Sequence, residues 1–102
     1  MKGFKQKKFE IETLSRSYIE SKRIINENSQ RVCVPNSYRL ERSMKIVGHI
    51  DNVVDCLNDN DRFIIQKEVQ EGKRGIWYLN YFSSTSYYRL RDVAYDHFLG
   101  CL

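Results

Sequence analysis

The sequence predicts an all-α fold, a single-domain bundle of about five helices that ends in a helix-turn-helix. Apolar residues recur at spacings of three and four along most of the chain, which is the period of one helix face. Gly (5 residues) and Pro (1 residue) are scarce, so few points break this pattern. A length of 102 residues suits one domain, and we therefore assign residues 1–102 to a single bundle.

The first helix is expected from about Lys7 to Glu27, within a long N-terminal helical segment over residues 1–28. Its apolar face is formed by four residues at spacings of three, four and seven, namely Ile11, Leu14, Tyr18 and Ile25. A loop is expected over residues 29–36. In it, Val32-Cys33-Val34 is too short for a strand, and Pro35 disfavours helix at the residue before it.

The second helix, from about Tyr38 to Leu57, is expected to be the central one, with Asn36 or Ser37 as its cap. Two adjacent apolar stripes run along it: Leu40, Met44, Val47 and Val54, and then Ile46, Ile50, Val53 and Leu57. Stripes this broad indicate burial on more than one side. Gly48 weakens a helix interior by about 1 kcal/mol relative to Ala, which predicts a close helix crossing at that point.

The third helix is expected from Arg62 to about Glu71 and follows a polar break over residues 58–61, in which Asp59 or Asn60 is the expected cap. Its inward residues are Phe63, Ile64, Ile65 and Val69. Gly72 is placed to end it in a left-handed conformation, and a short basic linker, Lys73-Arg74-Gly75, follows.

The last part of the chain has the outline of a helix-turn-helix, which we assign to residues 57–102. Residues 76–82 (IWYLNYF) are mostly aromatic and could form two helical turns, with the aromatic cluster expected in the core. The hydroxyl-rich run over residues 83–86 then favours a break and a new helix N-terminus. The face of the final helix is expected to comprise Tyr87, Leu90, Ala94 and Phe98, widened by Val93.

The exposed positions at the start of the final helix have a composition that suits DNA. They are Ser84, Thr85, Ser86, Tyr88, Arg89 and Asp92. Hydroxyls and a helix N-terminus bind phosphate oxygens, and arginine binds either a base edge or a phosphate. Lys73 and Arg74 stand before this unit and are expected to hold the DNA backbone. Arg91 is expected to pair with acidic residues on the helix surface, and His97 to lie at the surface.

The stretch SSTSYYRLRDVA (residues 83–94) resembles region 4 of bacterial sigma factors, in which a Ser opens the recognition helix and apolar residues and an Ala follow at fixed positions. Those places are occupied by Ser83, Tyr87, Leu90 and Ala94. The longer phrase STSYYRLRDVAYDHFL is similar to sigma-like phage late-gene activators of the ArpU and RinA type and to small sigma-like proteins of mycoplasmas. The recognition helix is less basic than in sigma region 4, and nothing corresponds to the sigma region that binds the −10 element.

The resemblance implies a sequence-specific, DNA-binding transcription regulator that acts with the RNA polymerase core. Its expected partners are double-stranded DNA and the polymerase core, and pairing into a homodimer is left open. The alternative is a protein-interaction module that binds RNA polymerase through a degenerate helix-turn-helix without contacting DNA bases. The acidic middle and the long first helix would be its docking surfaces.

Charge and composition restrict the other classes. The net charge is +4, with a net +4 in residues 1–25, −2 in residues 26–72 and +2 in residues 73–102, so an anionic partner would meet the ends of the chain. Gly-rich phosphate loops, paired metal ligands and spaced catalytic groups are missing, which argues against an enzyme and against a cofactor. We expect no membrane span and no secretory signal, hence a cytoplasmic protein. The three cysteines, Cys33, Cys56 and Cys101, are expected to be free thiols.

Overall fold

The computed structural model describes residues 3–29 and 37–102, and this part of the chain is all-α with no β-strand. Four α-helices follow in order: α1 (Phe4–Ser29), α2 (Ser37–Asp55), α3 (Asp59–Ile65) and α4 (Ser84–Cys101). A π-helical segment, Gln66–Gln70, continues α3, and a single turn of 3₁₀ helix, Trp77–Asn80, precedes α4. The loop predicted over residues 29–36, including Val32-Cys33-Val34 and the Asn36 cap, falls almost entirely outside the described residues.

The long first helix is confirmed and starts three residues earlier than predicted. It packs lengthwise against α2 and also contacts the π-helical segment and α4. Ile11 and Tyr18 are buried, with Leu14 and Ile25 packed at the edge of the core. At a rise of 1.5 Å per residue, the 26 residues of α1 span about 39 Å, most of the 50 Å longest dimension of the molecule.

Both predicted stripes of α2 contribute to the core, as predicted. Val47 and Val54 of the first stripe are buried, and so are Ile50, Val53 and Leu57 of the second, whereas Met44 of the first stripe is exposed. The close crossing predicted at Gly48 is wrong, because a Cβ atom built there meets nothing within 4 Å. The small buried residues between α1 and α2 are instead two serines, Ser21 and Ser43, which line the same groove.

A side-chain cap marks the start of α3, and a left-handed glycine follows the π-helical segment that continues it. Its cap is Asn58, whose Oδ1 accepts a hydrogen bond from the Asp61 amide at 2.9 Å, and neither Asp59 nor Asn60 has that role. The π-helical turn ends at Gly72, which has the predicted left-handed backbone with φ of 68°. Since the Lys73 amide donates to the Lys67 carbonyl at 2.8 Å, the chain reverses sharply at this glycine.

The segment between Gly72 and α4 differs from the prediction. One turn of 3₁₀ helix replaces the two helical turns expected over residues 76–82, because the chain must bend to bring α4 back against α3. Tyr78 is buried as predicted, but Tyr81 is exposed. The connection between the π-helical segment and α4 therefore spans residues 71–83, much longer than the three or four residues typical of a helix-turn-helix.

Helix α4 buries its predicted face with one exchange. Tyr87, Ala94 and Phe98 are buried, but Val93 is 42% exposed and Tyr95 takes the buried position beside them. The core that joins α4 to the other helices is formed by α2, α3 and the π-helical segment, through residues that include Val54, Ile64, Ile65 and Val69. None of the described helices is long and apolar enough to cross a bilayer.

Candidate nucleic-acid interface

The N-terminus of α4 is open to solvent and is preceded by a distinct break in the helix. Ser83 has an extended backbone and its Oγ accepts a hydrogen bond from the Ser86 amide at 3.3 Å, so Ser83 is the cap and the corner predicted at the hydroxyl run is present. Ser84 and Thr85 are exposed and Ser86 is half-buried. The hydroxyls and the free amides of this first turn are therefore available to donate hydrogen bonds to an anion.

Tyr88 and Arg89 lie on the outer side of the same helix and directly follow the buried Tyr87. Tyr88 is 50% exposed, and its hydroxyl lies 3.3 Å from that of Tyr78, with which it shares a hydrogen bond. Arg89 is exposed. The structure thus brings together, on one face, the hydroxyl residues, an aromatic side chain and an arginine that the sequence singled out.

The basic linker lies beside this surface. Lys73 and Arg74 are both exposed. Nη1 of Arg74 donates to the main-chain oxygens of Glu68 and Lys73, at 2.8 and 2.9 Å, so one end of the guanidinium is fixed on the protein. This anchoring holds the linker against the π-helical segment. Lys73, Arg74 and Tyr88 also line one common cleft.

Asp92, a predicted DNA-contacting residue, forms an ion pair within the protein. Nζ of Lys7 lies 2.9 Å from the Asp92 carboxylate and 2.8 Å from that of Asp96. Hydrogen bonds to Asp96 and then to Asp92 raise the pKa of Lys7 above its ordinary value. The two carboxylates that offset the positive charge of α4 in the sequence are therefore neutralised in part by a residue from α1.

Arg91 does not form the surface ion pair that the sequence predicts. Its guanidinium carbon lies 4.2 Å from the ring centroid of Phe4, 4.8 Å from that of Tyr88 and 5.3 Å from that of Tyr87. Such placements are cation–π contacts. Within residues 3–29 and 37–102 no carboxylate forms an ion pair with Arg91, and its buried Nε has no hydrogen-bond partner.

A buried carboxylate lies at the base of this region, and sequence analysis missed it. Glu68, in the π-helical segment, is only 6% exposed and accepts hydrogen bonds from the hydroxyls of Tyr87 and Tyr95, a group that we call the tyrosine–glutamate cluster. Burial, with the Glu68 carboxylate adding to it, raises the pKa of both tyrosines well above their usual value. Both hydroxyls therefore stay protonated at neutral pH and remain hydrogen-bond donors.

The tyrosine–glutamate cluster forms the floor of a cleft of about 420 Å³ between the start of α1, the π-helical segment, the basic linker and the first turns of α4. Four basic residues and two carboxylates line it, together with the ring side chains of the 3₁₀ turn and α4. The cleft is lined by Lys8, Ile11, Glu12, Glu68, Lys73, Arg74, Gly75, Ile76, Trp77, Tyr78, Tyr87, Tyr88, Arg91 and Tyr95. Positive charge and aromatic surface therefore coincide at one place.

Other chemistry-bearing groups lie at the opposite end of α4. His97 is half-exposed, as predicted, and its Nδ1 lies 2.5 Å from a carboxylate oxygen of Asp61, which is buried. Cys56 and Cys101 are free thiols, as predicted, while Cys33 lies outside the described residues. In the described part of the chain, no group of three or more His, Cys, Asp or Glu side chains is placed to hold a metal ion.

Comparison with known proteins gives no relative: no family model, no curated protein and no solved structure matches this chain.

Proposed function

We propose that the protein is a DNA-binding transcription regulator that contacts duplex DNA through the start of α4 and acts together with RNA polymerase. The observation that carries the proposal is the exposure of the α4 N-terminus. Ser84, Thr85, Tyr88 and Arg89 face solvent, while Tyr87 on the same turns anchors the helix to the core. We call these four exposed residues the recognition surface.

The charges around the recognition surface support contact with a polyanion. Lys73 and Arg74 line the same cleft as Tyr88. Pairing of Lys7 with both Asp92 and Asp96 reduces the repulsion that these carboxylates would exert on phosphates. Arg89 provides the side chain that reaches a base edge or a phosphate. The resemblance of residues 83–94 to sigma region 4 agrees with this placement, although the long connection over residues 71–83 departs from a simple helix-turn-helix.

The proposal is tested by measuring duplex DNA affinity as a function of salt, by fluorescence anisotropy. We expect log K to fall linearly with log salt concentration, and the double variant Arg89→Ala/Lys73→Ala to bind more weakly with a slope smaller by roughly two contacts. The matched control is Arg42→Ala/Lys45→Ala, which removes the same charges from an exposed part of α2. Equal affinity of both double variants would place the DNA surface elsewhere.

A second candidate function is a polymerase-binding module that does not contact DNA bases. It is favoured by exposed apolar side chains beside the 3₁₀ turn, where Ile76 is 70% exposed and Leu79 and Tyr81 are more than half exposed. Apolar side chains gathered on a surface are typical of protein contacts. A pull-down probed for polymerase subunits with and without nuclease separates the two functions. Nuclease-resistant capture combined with negligible DNA affinity supports the second candidate.

A further inference from the structure

We propose that the cleft above the tyrosine–glutamate cluster binds a nucleotide, that is, a small molecule that joins a flat aromatic base to a phosphate group. The cleft volume of about 420 Å³ lies within the usual range for small-molecule sites, about 300–1,000 Å³. The cleft shares Tyr88 with the recognition surface and also contains Lys73 and Arg74, so its separate test uses Lys8, which lines the cleft and is not among the residues assigned to DNA.

The positive lining of the cleft accounts for the phosphate. Lys8, Lys73, Arg74 and Arg91 contribute four positive charges. Of the two carboxylates, Glu68 is buried and hydrogen-bonded to the tyrosine hydroxyls, and Glu12 offsets one of the four positive charges, so the lining stays positive. Basic side chains form short, charge-assisted hydrogen bonds with phosphate oxygens.

Arg91 gives the strongest indication that an anion belongs here. Its guanidinium is held over aromatic rings from two helices, its Nε is buried without a partner, and no carboxylate pairs with it in the described ranges 3–29 and 37–102. A buried polar group that lacks a hydrogen bond costs free energy. A bound phosphate would supply an acceptor and an opposite charge to this side chain.

The aromatic wall accounts for the base. Trp77 and Tyr88 line the cleft and keep exposed area, while Tyr78 is fixed behind them by stacking on Tyr87, with ring centroids 3.8 Å apart. Stacking of a base on an aromatic side chain contributes about 1–3 kcal/mol by alanine substitution. A ligand with both a ring and a phosphate would therefore bind more tightly than either half alone.

Trp77 is the single tryptophan of the chain, so its fluorescence reports directly on the cleft. We would titrate the purified full chain with adenosine and guanosine 5′-monophosphates, with adenosine and with inorganic phosphate. The expected result is a saturable change in Trp77 fluorescence with at least one nucleoside monophosphate. The affinities for adenosine and for phosphate should each be lower by a factor of about ten or more. No saturation by either monophosphate at millimolar concentration would overturn the inference, and so would phosphate binding as tightly as the nucleotides.

A charge variant inside the cleft provides the second test. Lys8 lines the cleft but lies outside the recognition surface, and its side chain is exposed, so Lys8→Gln is expected to fold normally. It should weaken nucleotide binding about fivefold and leave duplex DNA affinity unchanged, whereas the control Lys45→Gln on α2 should change neither. Equal nucleotide affinity of the two variants refutes the inference. If a short DNA duplex saturates the Trp77 signal and the mononucleotides do not, the cleft belongs to the DNA surface instead.

Discussion

Removing one hydroxyl from the tyrosine–glutamate cluster should destabilise the protein strongly without creating a cavity. In Tyr95→Phe the ring stays in the core, and only the hydroxyl that donates to Glu68 is lost. A hydrogen bond to a charged group contributes about 1.5–3 kcal/mol, and the full value applies here because Glu68 is buried and gains little compensation from water. The expected loss in the free energy of unfolding is about 2 kcal/mol.

This loss is measurable in two ways. For a chain of this length, about 2 kcal/mol lowers Tm by roughly 8–16 °C, and urea unfolding should show a lower midpoint at unchanged slope. The matched control is Tyr38→Phe, the same chemical change at a side chain that is 72% exposed, where we expect almost no effect. If both variants lose the same stability within error, the hydroxyl of Tyr95 does not stabilise the buried carboxylate.

The charge of Glu68 makes a further, more specific prediction. Glu68→Gln removes the charge of the carboxylate to which the Tyr95 hydroxyl donates a hydrogen bond. When that hydroxyl is missing, an uncharged amide costs less free energy to bury than a carboxylate. The double variant Tyr95→Phe/Glu68→Gln should therefore be more stable than the sum of the two single changes predicts. Strict additivity would show that the two groups act independently.

Three further outcomes are expected. Gly72→Ala should destabilise the protein by more than about 1 kcal/mol in urea unfolding, because φ is 68° and the new Cβ would lie 2.7 Å from Ile19 Cδ1. Gly48→Ala lies in open space within α2 and should stabilise the protein by about 0.5–1 kcal/mol, so a change of the same sign in both variants would contradict the geometry. Ser83→Ala removes the cap of α4 and should cost about 1 kcal/mol and reduce the helical circular dichroism signal on heating, which a neutral result would contradict. Burial, and then the hydrogen bond to Asp51, raises the pKa of Tyr18 from 10 to about 12. Because Tyr18 loses its proton at lower pH in the unfolded state, the free energy of unfolding should fall as pH rises from 10 to 12, and Tyr18→Phe should show a shallower fall in denaturant unfolding over this range.

Much of the helical architecture could be predicted from local pattern. The period of apolar residues located α1, α2 and α4 to within a few residues at most ends, and Gly72 and Ser83 marked a helix end and a helix start through backbone and capping chemistry. These features depend on residues within about one helical turn of each other. The 3₁₀ turn at residues 77–80 was missed because seven apolar and aromatic residues fit a buried helix as well as a bent connection.

The side of a helix that becomes buried was harder to predict at the edges of the apolar face. Val93 and Tyr95 flank the same stripe on α4, and polarity alone favours the valine. Tyr95 is the buried one because Phe4 of α1 stacks against its ring and Glu68 accepts a hydrogen bond from its hydroxyl. Both partners come from distant parts of the chain, so no periodicity within α4 could reveal them.

The candidate site divides along the same line. Sequence alone indicated Lys73 and Arg74 as a basic linker, and it indicated the exposed start of α4 because exposure follows from the position opposite an apolar stripe. The pairing of Lys7 with Asp92, which lies 85 positions further along, could not be found in this way. Nor could the cleft, whose walls come from α1, the π-helical segment, the linker and α4.

The amino-acid sequence by itself determined that this chain is helical, where most helices begin and end, and that Ser84, Thr85, Tyr88 and Arg89 stay in solvent, because these properties arise from interactions between near neighbours. Only the tertiary structure decided that a buried carboxylate accepts hydrogen bonds from two tyrosine hydroxyls, that a lysine from α1 pairs with two aspartates of α4, and that four basic residues share a cleft with aromatic rings. Those contacts depend on how the helices cross and on the 13-residue bend between Glu71 and Ser83, and helix crossing is set by packing across the whole core.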